Sequence, residues 1–100
     1  MATSTFLVLA TWTVREGELD RVTGLLPELV AASRAESGCL AFDPSARLED
    51  PATLVLVERY ANPEAFAAHR ETEHYRTIVT EQIVPLLADR SVEYWVALTD

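Results

Sequence analysis

Lysine is absent from this chain of 100 residues, and eight arginines stand against 16 aspartates and glutamates, a formal charge of −8. A surface of that sign repels phosphate backbones and anionic headgroups, which argues against nucleic acid and membranes as partners. No run approaches the roughly 20 apolar residues of a membrane span, and the first residues lack the basic flank of a secretory signal, so a cytoplasmic location is expected. The single cysteine, Cys39, excludes an intrachain disulfide and an all-cysteine metal site built from one chain. It has no basic neighbour in sequence and reads as a small buried apolar residue. Only Gly17, Gly24 and Gly38 supply glycine, and they form neither a dinucleotide fingerprint nor a phosphate-binding loop. No acidic EF-hand loop or HExxH helix is present. What the chain has in quantity is apolar residues, 49% of the total, at the top of a usual range of roughly 45 to 50%. In a single small domain, taken as 1–100, that content implies either a dense core or apolar surface buried against a partner.

The run from Thr5 to Val14 is rich in β-branched and aromatic residues, lacks a breaker and ends at Glu16-Gly17, which predicts a strand with both faces largely apolar. Leu19, Val22, Leu25, Leu26, Leu29 and Val30 then recur at three- and four-residue spacing, predicting an amphipathic helix from Glu18 to about Ser33. Pro27 lies inside it, so a kink or two short helices in series is expected. Cys39–Phe42 reads as a short strand ending at Asp43-Pro44. A turn at 48–51 leads to a third strand, Thr53–Tyr60. Asn62-Pro63 is a helix start, because Asn caps free amides and Pro suits the first helical position. Thr72 is placed to cap a second helical piece carrying Tyr75, Ile78, Val79, Gln82, Ile83 and Leu86, and 91–99 reads as the last strand. The order strand, helix, strand, strand, helix, strand predicts an α+β, ferredoxin-like fold, a four-stranded antiparallel sheet with its helices on one face. Helices cover only one face, so the apolar residues of the other imply a homodimer packing sheet on sheet.

Two histidines, His69 and His74, are the natural centre of any chemistry. On one unbroken helix, five residues turn through roughly 500° and leave the rings about 140° apart. They could therefore share a metal only if the helix broke near Thr72, and no metal site is assigned. His69 shares a helix face with Ala65 and Phe66 and points to the sheet, either as a satisfied core histidine or as a base in a pocket. Glu58 interrupts the apolar third strand and needs a partner if buried. That partner is either His69, whose tautomer it would fix, or an arginine such as Arg59 or Arg34, unless Glu58 sits at the solvated rim. Trp12, Tyr60, Phe66, Tyr75, Tyr94 and Trp95 are candidates to line an aromatic cavity, of which two or three would touch a ligand. Arg34-Ala35-Glu36-Ser37 reads as a source of charge pairs at a helix end.

Three segments together, 33–42 (SRAESGCLAF), 58–69 (ERYANPEAFAAH) and 72–75 (TEHY), resemble the antibiotic biosynthesis monooxygenase (ABM) family, including its quinol monooxygenase-like members. The resemblance spans nearly the whole chain. It implies a dimeric α+β barrel of ferredoxin-like subunits that oxidises a hydroxylated aromatic, a quinol, naphthol or anthrone, with O₂ and without metal, flavin or haem as cofactor. On the matching positions it implies His69 as base or hydrogen-bond donor, Glu58 as its orienting partner, and Trp12, Tyr60, Phe66 and His74 as pocket residues. Ser37 departs from a proline common in the family. Haem-degrading relatives carry an asparagine on the first strand and a tryptophan on the later helix, and this chain has neither. Two other uses of the same architecture remain open: an isomerase or cyclase that enolises its substrate with the histidine and glutamate, and a ligand-binding dimer without catalysis.

Overall fold

A computed structural model describes residues 5–99; the domain span read from the sequence also takes in residues 1–4 and 100, outside the described residues. Strand β1 (Phe6–Val14) and β3 (Thr53–Tyr60) are the central strands of an antiparallel sheet of order β2-β3-β1-β4, with β2 (Cys39–Ala46) and β4 (Leu87–Val96) at its edges. Strands β1 and β3 are also the most continuously apolar segments, as suits the centre of a sheet. Helix α1 (Leu19–Arg34) follows β1, and α2 (Pro63–Arg70) follows β3. A π-helix (Tyr75–Ile83) and a 3₁₀ turn (Val84–Leu86) then lead into β4. This is the ferredoxin-like α+β arrangement, with all helices on one face. No helix of the described residues is long and apolar enough to cross a membrane.

Register sorts the sheet into two faces. Val8 pairs with Glu58, Ala10 with Leu56 and Trp12 with Leu54, and Phe42 of β2 lies on the other side of Glu58. This helix-facing side carries the core, where Val8, Phe42, Leu56, Val22 and Leu29 are almost wholly buried. On the opposite side Leu7 pairs with Arg59 and Leu9 with Val57, and Leu7 lies beside Trp95. Trp95 is 55% exposed and Val57 39%.

Local structure departs from the sequence expectation in four places. Helix α1 runs through Pro27 as one element and not as two short helices: burial of Val22, Leu29 and Ser33 along one face offsets the single amide lost. Strand β2 continues past Asp43-Pro44 to Ala46, which an edge strand allows because Pro can turn its missing donor outward. The last strand begins at Leu87 and ends at Val96. The segment after Thr72 winds as a π-helix. Its wider turn brings residues five apart together, so Arg76 meets Glu81 at 2.7 Å and Gln82 Nε2 donates to the Thr77 carbonyl at 2.9 Å.

Two glycines matter to this geometry. Gly17 takes a left-handed φ of 81° in the turn between β1 and α1, where a side chain would be strained. Gly38 packs against α2, and a Cβ there would come within 2.4 Å of the Ala65 Cβ. Its carbonyl also accepts from the Ala61 amide at 2.9 Å. This close approach draws the end of α1 onto the start of α2.

Candidate active site

Asn62 starts α2 as its residue type predicts, its side-chain oxygen accepting from the Ala65 amide at 2.8 Å. The helix delivers His69 into the core, 1% exposed, against the rings of Phe42, Tyr60, Phe66 and Tyr75. Thr72 then breaks the helix. Its hydroxyl donates to the His69 carbonyl at 2.7 Å and accepts from the Tyr75 amide at 3.2 Å, closing one helix and opening the next. Because the chain turns here, His74 comes back beside His69, with ring centroids 6.1 Å apart. One oxygen, Oε2 of Glu36, lies 2.8 Å from His69 Nδ1 and 2.6 Å from His74 Nε2.

This arrangement decides the tautomers. A carboxylate only accepts, so His69 donates through Nδ1 and His74 through Nε2. Burial holds the His69 imidazole below its ordinary pKa, against the opposing pull of the Glu36 hydrogen bond and charge. A neutral ring protonated at Nδ1 keeps a free lone pair on Nε2. Among the described residues the only buried side-chain polar atom without a partner is Ser33 Oγ, so Nε2, which makes no hydrogen bond, is not sealed in the core.

His69 borders a cavity of about 170 Å³ between the helices and the sheet. Its wall is mostly apolar and aromatic, with Val8, Trp12, Phe42, Phe66, Tyr75 and Tyr94 among its residues. An apolar cavity of about 150 Å³ accepts benzene, so at least one aromatic ring fits. The polar groups on the wall are His69, Glu58, Arg70, Arg90 and Ser91. Glu58 is 5% exposed, between Val8 and Phe42 on the neighbouring strands. Tyr60 donates its hydroxyl to Glu58 Oε1 at 2.5 Å. Burial pushes the Glu58 carboxyl up to about 7, with the Tyr60 hydrogen bond pulling the other way. The same burial, together with the charge of Glu58, pushes the Tyr60 phenol up. One wall thus holds a neutral imidazole with a free lone pair and a carboxyl that exchanges its proton near neutral pH, a combination suited to proton transfer on an aromatic guest.

The model of the family described as antibiotic biosynthesis monooxygenase matches residues 5–81. The chain belongs to the antibiotic biosynthesis monooxygenase family. Its curated relative "Putative monooxygenase Rv0793" of Mycobacterium tuberculosis is 34% identical over 73 residues, 73% of this chain and 71% of that protein. The solved structure of Rv0793 superposes with a TM-score of 0.88 at 28% identity, covering 97% of this chain and 98% of the other. That of PA3566 from Pseudomonas aeruginosa reaches 0.91 at 26% identity and 99% of both chains. The antibiotic biosynthesis monooxygenase fold therefore extends through β4, beyond the residues that the family model covers.

Against this ABM frame the residues singled out from sequence fall into three groups. His69, Glu58, Trp12 and Phe66 border the cavity, and so do Tyr75 and Tyr94. Tyr60 and His74 stand one step behind the wall, Tyr60 holding Glu58 and His74 holding Glu36. Trp95 is on the opposite face of the sheet. The expected pairing of His69 with Glu58 is corrected: Glu36 is the partner of His69, and Glu58 is bonded to Tyr60. Nor does either arginine reach Glu58, since Arg34 bonds Asp43 and the Phe42 carbonyl, and Arg59 bonds Thr5. Glu36 was the residue missed, read as a helix-end charge when it joins both histidines. Its one sequence signal was its position two residues before Gly38, the glycine that brings the α1 end against α2. Burial and the charge of Glu36 push the Cys39 thiol up, in line with an inert side chain.

Proposed function

We propose that the chain is a homodimeric monooxygenase that oxidises a small hydroxylated aromatic, of the quinol, naphthol or anthrone kind, with O₂ and no bound cofactor. The observation that carries this reading is the His69 ring, bonded to Glu36 through Nδ1 and bordering an aromatic cavity, an arrangement that leaves Nε2 unprotonated when the ring is neutral. Nε2 takes the phenolic proton. The electron-rich anion then gives an electron to O₂, and the radical pair joins to form a carbon–oxygen bond. The peroxide formed takes back the proton held on Nε2; the hydroperoxide then loses water as its O–O bond breaks and the hydrogen on the same carbon leaves as a proton that replaces the one Glu58 gives up, which yields the quinone. Glu58 is suited to protonate the departing hydroxide, and the apolar and aromatic residues of the wall favour a flat aromatic guest.

The test is oxygen uptake by the purified protein with a dihydroxynaphthalene. One O₂ should disappear for each quinone formed, and turnover should stop under nitrogen. Conversion that continues at the same rate without oxygen would move the assignment to an isomerase or cyclase using the same two groups. Absence of any turnover across quinols, naphthols and anthrones would leave a binding protein.

The homodimer rests on the uncovered sheet face, where Leu7, Leu9, Val57 and Trp95 are adjacent in register. Arg59 and Glu93 lie on the same face beside Leu7 and Leu9, and apolar side chains among charged ones left uncovered in this way suit an interface with a second copy. Light scattering at micromolar concentration should return twice the chain mass of 11.1 kDa; the single-chain mass would remove the dimer from the proposal.

A further inference from the structure

Glu36, His69 and His74 form a cluster whose chemistry the proposed oxidation does not use in full. One donor atom from each lies within 4.8 Å of the other two, and Oε2 of Glu36 is 2.8 Å from His69 Nδ1 and 2.6 Å from His74 Nε2. Two imidazoles and a carboxylate on three separate pieces of chain are a donor set for divalent first-row transition ions. A tetrahedral zinc ion, with bonds of roughly 2.0 to 2.2 Å, spaces its ligand atoms roughly 3.3 Å apart. The nitrogens now sit at hydrogen-bond distance from Oε2, so an ion needs the rings to withdraw by some tenths of an ångström. The side chains of His74 and Glu36 are 22% and 15% exposed, which gives an ion a way in.

We propose that Glu36, His69 and His74 form a binding site for a divalent transition ion such as Zn²⁺, and that its occupancy is incompatible with His69 acting as a base. An ion on His69 Nδ1 takes the lone pair of that nitrogen and sends the ring proton to Nε2, the atom left free for the cavity. The imidazole then becomes a donor and can no longer accept the phenolic proton. His74 changes in the same way, its proton moving from Nε2 to Nδ1. The ion bound here is thus an inhibitor of the proposed reaction. Binding itself does not depend on that reaction, and the test reads binding and tautomer alone.

Zn²⁺ titrated into the metal-free protein by calorimetry should bind one ion per chain. His74→Ala and Glu36→Gln should each weaken binding at least tenfold while circular dichroism shows the fold retained. No other histidine exists to replace His74, and Cys39→Ser should bind as the parent does. Long-range ¹H–¹⁵N spectra of the histidines should show His69 protonated at Nδ1 without zinc and at Nε2 with it. Equal affinity in parent and His74→Ala proteins, or loss of binding in Cys39→Ser, would overturn the site. A His69 ring that keeps its Nδ1 proton at saturating zinc would overturn the switch. The parent's failure to bind would overturn both and leave the oxidation proposal standing.

Discussion

His69→Asn is expected to lower kcat/KM for oxygen uptake by about 10² to 10⁴-fold, the usual worth of a positioned general base. The asparagine amide reaches the place of Nδ1 and can still donate to Glu36, so the hydrogen bond that ties α2 to the end of α1 is kept. What it lacks is Nε2. The comparison therefore separates the two readings of a buried histidine. If the ring serves only to satisfy Glu36 and fill the core, the variant should fold and turn over within a few-fold of the parent. Alanine is the poorer probe, because it removes a ring packed against Phe42, Tyr60, Phe66 and Tyr75 and leaves a cavity. Glu36→Gln supplies the intermediate case. Its amide oxygen still accepts from Nδ1, but the charge that favours the developing imidazolium is gone, so a loss of about tenfold is expected. Thermal melts of both variants, beside oxygen uptake, decide whether activity or folding was lost.

The two glutamates show why the sheet was legible in sequence and the pairing was not. Alternation along β1 and β3 assigns Glu58 to the same face as Leu54 and Leu56, and the register confirms it, because a strand's period of two leaves no freedom. Spacing also assigns His69 to the buried face of α2. Spacing acts only within one element. Glu36 is 33 residues from His69 and 38 from His74, and their meeting depends on Gly38 packing against Ala65 and on the break that Thr72 makes. Both devices were visible as residues: a glycine before a strand, and a threonine inside a helical pattern. Their consequence was not visible, because it depends on how α1 and α2 dock. The π-helix was hidden for a related reason. Ile78, Val79 and Ile83 fit a period of 3.6 and a wider one equally well over so short a span, and the five-residue pairs of Arg76 with Glu81 and of Thr77 with Gln82 tell them apart.

Glu58 should make the protein less stable as pH rises. Its carboxyl has a pKa near 4.5 when unfolded and about 7 when buried, so the folded state holds a proton that the unfolded chain has already released. Stability from this group is complete below pH 4.5, falls through the interval from 4.5 to 7, and stays at its lower value above. The difference of 2.5 units corresponds to about 3 kcal/mol, a large fraction of the margin of a small domain. The physical cause is the position of the charge, between Val8 and Phe42 with one phenol as its only bonded partner among the described residues. Glu58→Gln keeps an acceptor for Tyr60 and carries no charge at any pH. Denaturant unfolding of the two proteins should therefore give similar stabilities at pH 4 to 5. At pH 8 the variant should be the more stable by about 3 kcal/mol, and the subtraction removes every carboxylate the two share. Parallel curves across the whole range would show that Glu58 is ionised at no cost in its site, and would take away the proton that it is proposed to give the departing hydroxide. A divergence in the predicted direction would mean that the fold tolerates a destabilising carboxyl in its core, where the ordinary choice beside Leu54 and Leu56 is another apolar residue. Such a cost is what the chemistry proposed for Glu58 would require, and it falls on the cavity wall that His69 also borders.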